Sequence, residues 1–461
     1  MLFNTPVFIL FFILTVPLSF LVPKRWQNAV LLAASYFFYG FSDPKLVFLL
    51  LGVTAAAYLS ALGIQNRPAL KTLWKTLGIL APLLLLFNFK YYGFVMRLIS
   101  SVFGGPAPDL IQDLVLPTGI SFYTFQALSY VIDVDRREIA PEKNPLNLAL
   151  YLSFFPQLVA GPIERAKDLL PQIRKPRSFD PDLAIRGLKI MLIGFFEKIA
   201  IADILGIFVN RIWGDLNAAS GADVLIASLF FSLQILCDFK GYSDIARGAA
   251  SVLGIRLSVN FDRPYASASI AEFWRRWHIT FSSWLRDYLY IPLGGARGSF
   301  LFWCRNIFIV FFVSGLWHGA DLTFVAWGLL HAFFQIAERL LFTDKKGPRR
   351  LRQLLTFIAV NFAWVLFRAP DFSQAGLFFQ RLLTGWQPFA LSLNGEEAVV
   401  FGLSLLGFAA LSLLPGRLAG AGRSRKILRY SFCTLALWLT AAAYLYLRSG
   451  GIQSSFIYFQ F

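Results

Sequence analysis

The chain has 461 residues, of which 57% are hydrophobic and only 15% are charged. Soluble domains carry about 25% charged residues, so this composition excludes an ordinary soluble protein and indicates an integral membrane protein. The net charge of +17 would suggest a nucleic-acid partner in a soluble protein. Here the basic residues lie in loops between apolar runs, as the positive-inside rule expects. We therefore predict contact with membrane lipid and no nucleic-acid partner.

Long apolar runs recur along the chain. Residues 1–23 carry no charge, Leu77–Phe87 reads LGILAPLLLLF, and Val399–Leu414 is uncharged. A membrane-spanning helix needs about 20 apolar residues, and only helices or closed barrels satisfy their backbone groups in lipid. The alternation of barrel strands is absent, so we predict an all-α polytopic protein. The first run has no basic leader and no small-residue cleavage site, so we expect it to remain as the first span.

Basic loops predict the orientation of these spans. Four basic segments follow predicted spans, at 24–25, 67–75, 345–352 and 417–429. Positive loops favour the cytoplasmic side, which places the N-terminus outside the membrane. The last predicted span, about 430–447, then leads outward, and the tail Arg448–Phe461 is extracytoplasmic.

The middle of the chain is more polar than the rest. Glu164–Arg177 is amphipathic and contains proline, so we predict an interfacial helix or loop there and not a span. Phe261–Ser283 mixes tryptophan, arginine and aspartate with apolar residues. Such backbone is tolerated at membrane depth only when it is buried in protein or lines a cavity. We find no internal repeat of the kind common in secondary transporters.

The chain contains only three histidines, His278, His318 and His331. An ionisable group at membrane depth is costly and therefore marks a candidate functional site. His318 lies in Ser-Gly-Leu-Trp-His-Gly-Ala-Asp between Gly315 and Gly319, which allow backbone or ligand to approach closely. A desolvated, neutral imidazole there would accept a proton from a hydroxyl. A hydrogen-bonded histidine that fixes helix packing explains the same residues equally well.

His278 follows two tryptophans. On a continuous helix, Trp274, Trp277 and His278 would share one face, which predicts the lining of a channel, whereas Arg275 would point elsewhere. The alternative is an interfacial aromatic belt with snorkelling arginines. His331 would face the same cavity or serve only in helix packing. Neither these histidines nor the three widely separated cysteines show metal-ligand spacing, so we predict no metal site.

A second polar island, Asp238–Asp244, follows an uncharged run of the sequence. Aspartates within the membrane need a positively charged or hydrogen-bonding partner. Lys240 and Asp244 are four residues apart, so a local ion pair is expected if the segment is helical. The island indicates either a salt-bridged helix start or a role on the substrate side, with Tyr242 as a further candidate.

Several segments resemble the membrane-bound O-acyltransferases, in particular the bacterial branch of the alginate O-acetylation type. Glu272–Thr280 with Ser283–Gly295 is similar to one signature of that family, and Gly315–Ala320 is similar to the second, whose histidine the family treats as catalytic. Shorter similarities cover 116–123, 154–163 and 239–244. Lys240 departs from the pattern, which has a small polar residue there.

The resemblance implies a single transmembrane domain over 1–461, with a ring of about eleven helices around a central funnel. His318 would lie near the narrowest point and act as general base, and His278 would lie beside the same tunnel. The tunnel-lining residues would be Trp274, Arg275, Trp277, Trp317, Asp238, Tyr242, Asp244 and His331.

The last six residues, FIYFQF, resemble a C-terminal aromatic motif of bacterial members that supply an extracytoplasmic acyltransferase. Tyr458 would then carry the acyl group, although an aromatic tail resting on lipid headgroups is the alternative. The implied activity is transfer of an acetyl group from a cytoplasmic thioester such as acetyl-CoA, with no bound cofactor.

The resemblance implies that the acetyl group passes to a hydrolase-fold (SGNH-type) partner. The final acceptor would be an extracytoplasmic polysaccharide, and the protein would lie in the bacterial inner membrane. Alginate is the favoured acceptor, with peptidoglycan and cellulose as alternatives. Two other classes remain open, a transporter of acyl groups without covalent chemistry and a scaffold that recruits the outer partner.

Overall fold

A computed structural model describes residues 1–104, 116–341, 347–386 and 391–417. These residues form helices and connecting segments and contain no strand, which confirms the predicted all-α class. The chain divides into two compact units. The first contains residues 1–191 and 245–259, and the second contains residues 192–244 and the chain from Asn260 onward. A single domain over 1–461 stays a prediction.

The first unit is built from short and long helices. Pro6 begins the first helix because its fixed φ suits the first turn and its missing N–H is not needed there, and Thr5 Oγ1 accepts a hydrogen bond from Phe8 N–H at 3.3 Å. The helices are α1 (Pro6–Leu21), α2 (Gln27–Gly40), α3 (Leu46–Asn66), α4 (Lys71–Leu86), α5 (Tyr92–Phe103), α6 (Ile120–Asp135), α7 (Pro145–Ser153), α8 (Phe155–Leu158) and α9 (Ala166–Arg174).

The segment predicted to be interfacial contains α9. This helix has nine residues and is too short to span a bilayer. One face, which includes Leu169, Leu170 and Ile173, is buried, so α9 is an amphipathic helix packed on the first unit.

The second unit contains the histidines. Two helices, α10 (Pro181–Phe195) and α12 (Gly221–Val252), contribute residues to both units. The other helices are α11 (Ile204–Gly214), α13 (Ile270–Arg276), α14 (Ile279–Leu285), α15 (Phe300–His318), α16 (Leu322–Leu341), α17 (Arg349–Arg368), α18 (Phe372–Thr384) and α19 (Gly395–Arg417). Three π-helical stretches extend α4, α10 and α14, over Phe87–Tyr91, Phe196–Asp203 and Arg286–Tyr290.

Six helical segments in the described part of the chain are long and apolar enough to cross a membrane. They are Leu46–Asn66, Pro68–Phe103, Gly221–Val252, Phe300–His318, Leu322–Leu341 and Arg349–Arg368. The protein is therefore a multi-pass membrane protein. The predicted first span, residues 1–23, contains the helix Pro6–Leu21, which is apolar but shorter than these. The count of eleven helices stays a prediction.

Glycines allow α15 and α16 to pack with their backbones in close contact. A Cβ atom on Gly315 would lie 2.4 Å from the carbonyl oxygen of Phe324, and one on Gly328 would lie 2.2 Å from that of Phe311. Small residues are used in this way where membrane helices approach closely. The predicted close approach at Gly315 is thus confirmed, and the group that approaches is the backbone of α16. This packing brings His318, at the end of α15, beside the middle of α16.

Candidate functional site

The helix carrying Trp274 stops before it reaches His278. α13 ends at Arg276, Trp277 is extended, and His278 has a φ of 44° in the left-handed region. The prediction that Trp274, Trp277 and His278 lie on one helical face is therefore wrong. A non-glycine residue with positive φ is uncommon and is found most often where the surrounding structure imposes it.

Asn260 is the residue that interrupts this helix. Its backbone oxygen accepts the N–H of Ile279 at 2.9 Å, and its side-chain oxygen accepts the N–H of Thr280 at 3.3 Å. Both amides would otherwise donate to carbonyls within a continuous helix. Asn260 thus captures the first amides after His278 and turns the imidazole in a new direction.

The same amide oxygen fixes the tautomer of His278. The backbone N–H of Thr280 can only donate, so the Asn260 side-chain atom that faces it is the amide oxygen. His278 Nδ1 lies 3.1 Å from the same oxygen. Because that oxygen can only accept, Nδ1 must carry the hydrogen. The other ring nitrogen, Nε2, then presents a lone pair. Burial keeps the pKa of His278 well below its usual value, so the imidazole is neutral at physiological pH.

Asn260 was missed by the sequence analysis. It stands between Val259 and Phe261, and its side chain is 1% exposed. A buried amide among apolar residues needs hydrogen-bond partners, and that requirement was the available signal.

His318 is enclosed by aromatic rings and is 4% exposed. The ring centroids of Phe281, Trp317, Trp327 and Phe367 lie 4.9–5.4 Å from the imidazole centroid, all at steep angles. These rings come from α14, α15, α16 and α17. The imidazole therefore lies inside the second unit and does not face lipid.

The structure brings all three histidines into one aromatic cluster. Trp317 lies between His278 and His318, with ring centroids 5.7 Å and 4.9 Å away, respectively. Trp327 lies between His318 and His331, with both centroid distances equal to 5.0 Å. We call the three imidazoles together with Trp274, Trp277, Phe281, Trp317, Trp327, Trp364 and Phe367 the histidine cluster.

The tautomer of His331 is opposite to that of His278. Trp274 Nε1–H donates to His331 Nδ1 at 3.3 Å, so the hydrogen of the neutral ring resides on Nε2. Among the described residues, this Nε2 and the indole nitrogens of Trp277 and Trp327 are buried without a hydrogen-bond partner. Buried donors nearly always have a partner, either in the protein or in ordered water. The histidine cluster therefore contains three N–H groups able to bind an acceptor atom.

The predicted lining residue Arg275 is separate from this cluster. Its side chain is exposed, whereas Trp274 before it is buried. Arg276 is four residues after Glu272 and pairs with it at 2.8 Å.

The polar island 238–244 lies within α12 and forms the predicted ion pair. Lys240 Nζ is 2.7 Å from Asp244, and it also binds both oxygens of Glu197 at 2.7 and 2.8 Å. Glu197 belongs to the π-helical stretch after α10. Lys240, the departure from the family pattern, thus connects two helices.

A second buried ion group lies one residue farther along that stretch. Lys198 Nζ is 2.6 Å from Asp203 and 2.6 Å from Asp238, and the three side chains are 2–6% exposed. Glu197, Lys198 and Asp203 were missed by the sequence analysis. Their signal was three charges inside the apolar run Met191–Val209. Tyr242 is buried on the same helix.

The predicted acyl carrier Tyr458 and the C-terminal tail lie outside the described residues. Within the described ranges, no group of histidine, cysteine and acidic side chains is arranged to hold a metal ion.

Comparison with known proteins decides the family. The sequence profile of the membrane-bound O-acyltransferase (MBOAT) family matches residues 85–373. That interval covers more than half of the chain and includes the whole histidine cluster. The chain belongs to the membrane-bound O-acyltransferase family. It is therefore an O-acyltransferase, and its resemblance to the two signatures around His278 and His318 is confirmed at the family level.

Individual members of the family are similar over most of their length. The probable alginate O-acetylase of Pseudomonas aeruginosa is 36% identical over 425 residues, covering 89% of this chain and 81% of that protein. The probable alginate O-acetylase of Pseudomonas syringae is 35% identical over 444 residues, covering 92% and 85%. The peptidoglycan O-acetyltransferase of Helicobacter pylori is 37% identical over 424 residues, covering 81% and 78%.

Replacing Lys198 with methionine should destabilise the folded protein by about 3–5 kcal/mol, because Asp203 and Asp238 would stay buried without their cation. The midpoint of thermal unfolding in detergent, followed by tryptophan fluorescence, measures this loss. The control is Arg211→Met, which breaks an ion pair with Glu397 whose arginine is 41% exposed and should cost about 1 kcal/mol or less. Equal midpoints for the two variants would show that the Lys198 group does not support the fold.

Proposed function

We propose that this O-acyltransferase moves an acetyl group from a cytoplasmic thioester to an extracytoplasmic polysaccharide, with His318 as the general base. The observation that carries the proposal is the position of His318, a buried imidazole surrounded by four aromatic rings next to two other histidines. A neutral imidazole in such surroundings is a competent proton acceptor because burial disfavours its charged form.

The proposed chemistry needs no group beyond donor, acceptor and protein. His318 takes the proton of the attacking hydroxyl as its oxygen bonds to the thioester carbonyl carbon. Collapse of the tetrahedral intermediate breaks the carbon–sulfur bond, and the imidazolium returns the proton to the leaving thiolate. General base catalysis of this kind contributes about 10²–10⁴-fold to a rate.

Other members of the histidine cluster have complementary roles in this proposal. His278, with its hydrogen held on Nδ1 by Asn260, offers Nε2 as an acceptor and orients an N–H or O–H group of the donor. The N–H groups of Trp277, Trp327 and His331 are available to stabilise the negative oxygen of the intermediate. Fixed donors at a developing oxyanion are commonly the largest contribution to catalysis of acyl transfer.

The names of the relatives support a proposal for the acceptor. Proteins named for alginate O-acetylation and for peptidoglycan O-acetylation are about equally identical to this chain, and the former are the more numerous among those compared. We therefore favour an alginate-like exopolysaccharide, with peptidoglycan or cellulose as alternatives. Acetyl-CoA is the proposed donor. A transporter without covalent chemistry agrees less well with a chain of this family.

The direction of transfer is proposed from the charge of the loops. Basic segments on the cytoplasmic side of a bacterial inner membrane place both termini outside. Tyr458 in the tail would then accept the acetyl group and present it to a hydrolase-fold (SGNH-type) transferase. That partner would complete transfer to the polysaccharide.

His318→Ala should lower polysaccharide O-acetylation by about 10²–10⁴-fold because no base remains to take the proton. Acetyl content of the purified polysaccharide, with membrane levels of the protein, is the measurement. Cys304→Ala, on the same helix, is the matched control and should keep normal activity. Normal acetylation in cells carrying His318→Ala would refute the assignment and favour the scaffold alternative.

Asn260→Leu should lower the rate of acetyl transfer about 5–30-fold, since loss of the hydrogen bond to His278 Nδ1 costs about 1–2 kcal/mol. It removes the acceptor that holds the hydrogen on His278 Nδ1. Asn260→Asp keeps an acceptor there and, by its charge, should raise the pKa of His278 and shift the pH–rate profile. If both variants lose equal activity with an unchanged profile, Asn260 serves only the fold.

Labelled acetyl donor should leave label on Tyr458, and Tyr458→Phe should remove it, because only the hydroxyl is lost. Mass spectrometry of C-terminal peptides is the measurement. Phe459→Leu changes the neighbouring aromatic side chain, keeps the hydroxyl, and should retain the label. Sustained acetylation of the polysaccharide by Tyr458→Phe would exclude the tyrosine as carrier.

A further inference from the structure

A cavity of about 800 Å³ lies in the second unit where α16 ends and α17 begins. Its walls come from α13, the last turns of α16, the first turns of α17 and one residue of α15. None of the three histidines lines it, so it is distinct from the histidine cluster. The residues that matter for its chemistry are Arg275, Trp303, Glu338, Arg339, Arg349 and Arg352.

The cavity is basic. Four arginines and two glutamates line it, and both glutamates already have partners. Glu272 accepts from Arg276 at 2.8 Å and from Arg349 at 3.4 Å. Glu338 accepts the backbone N–H of Ile270 at 2.7 Å. The carboxylates therefore contribute to holding α13 in place.

Arg339 and Arg352 have no carboxylate partner among the described residues, whereas Arg275 interacts with Glu338 at longer range. Within the described part of the chain, no carboxylate lies within ion-pair distance of Arg275, Arg339 or Arg352. The guanidinium of Arg339 lies over the ring of Trp303, 4.2 Å from its centroid. Arg352 Nε is buried and has no hydrogen-bond partner among those residues. An anion in the cavity would satisfy this nitrogen and the surplus charge.

The cavity also has exposed apolar side chains in its lining. Leu341 and Leu355 line it and are 74% and 45% exposed, and the neighbouring Leu340, Leu351 and Leu354 are exposed as well. On helices that cross a membrane, exposed leucines face hydrocarbon. A ligand in this cavity therefore has its charge among arginines and its apolar part against lipid.

We propose that the cavity binds an anionic phospholipid of the cytoplasmic leaflet. Its volume is within the usual range of ligand pockets, about 300–1,000 Å³. Basic pockets between membrane helices on the cytoplasmic side are suited to anionic headgroups, and guanidinium groups bind phosphate oxygens in pairs. The acyl chains would lie along Leu341 and Leu355.

The inference rests on the proposed orientation of the membrane helices and not on the catalytic role of His318. A binding measurement therefore succeeds or fails independently of acyl transfer. The phosphates of coenzyme A share the chemistry of a lipid headgroup, and the exposed leucines that line the cavity are the reason to favour lipid over this donor. Competition between the two distinguishes them.

The test is native mass spectrometry of the delipidated full chain with added phosphatidylglycerol or cardiolipin, against phosphatidylcholine. Retention of the anionic lipids by the Arg339→Gln/Arg352→Gln variant should fall about tenfold or more, the scale expected for two arginines. Arg297→Gln/Arg350→Gln is the control, since it removes the same charge from exposed positions outside the cavity. Arg339→Lys/Arg352→Lys should keep much of the binding and shows that the fold tolerates substitution there.

Three results would overturn the proposal. Equal loss in the control variant would indicate a general charge effect, and equal retention of phosphatidylcholine would show that the headgroup charge is not recognised. Displacement of bound lipid by coenzyme A would assign the cavity to donor phosphates instead.

Discussion

Contact between the backbones of α15 and α16 is the constraint on which the histidine cluster depends. Gly315 and Gly328 face carbonyl oxygens of the opposite helix at distances that leave no space for a Cβ atom. Because the opposing atoms are backbone, no side-chain movement could make room for a larger residue. His318 and His331 come from the two helices, and Trp327 contacts both imidazoles. Separation of the helices would remove this ring from between them.

Polar groups are buried in the second unit in two different ways. The charged groups around Lys198 and Lys240 form ion pairs at 2.6–2.7 Å. Ionised groups in low-dielectric surroundings persist only when paired like this. The histidine cluster retains buried N–H groups without protein acceptors among the described residues. The paired groups thus join α12 to the stretch after α10, and the cluster keeps hydrogen-bonding capacity for a ligand.

Sequence alone predicted the features that depend on short spacing or on residue type. The scarcity of histidine and its flanking glycines pointed to His318, and four-residue spacing predicted the Lys240–Asp244 pair, which lies at 2.7 Å. The helix break at His278 was not predicted because its cause, Asn260, lies 18 residues earlier. Glu197 was likewise missed because it is 43 residues from Lys240, a separation that helical periodicity does not encode.

The family relationship identifies the reaction, which neither the sequence pattern nor the packing of the helices does. Aromatic enclosure, a fixed tautomer and buried N–H groups are general properties of a site for proton transfer. Membership of an O-acyltransferase family specifies an acyl group as the species transferred. If His318 is the base, the carbonyl of the thioester must lie beside its imidazole.

The most direct measurement is a cryo-electron microscopy map of the full chain in lipid nanodiscs with a non-transferable thioether analogue of acetyl-CoA. We expect the acyl carbonyl of the analogue to lie beside His318. Space for an acceptor hydroxyl should remain about 3–3.5 Å from the carbonyl carbon. An analogue bound elsewhere, with His318 sealed in packing and reached by no passage, would contradict this prediction.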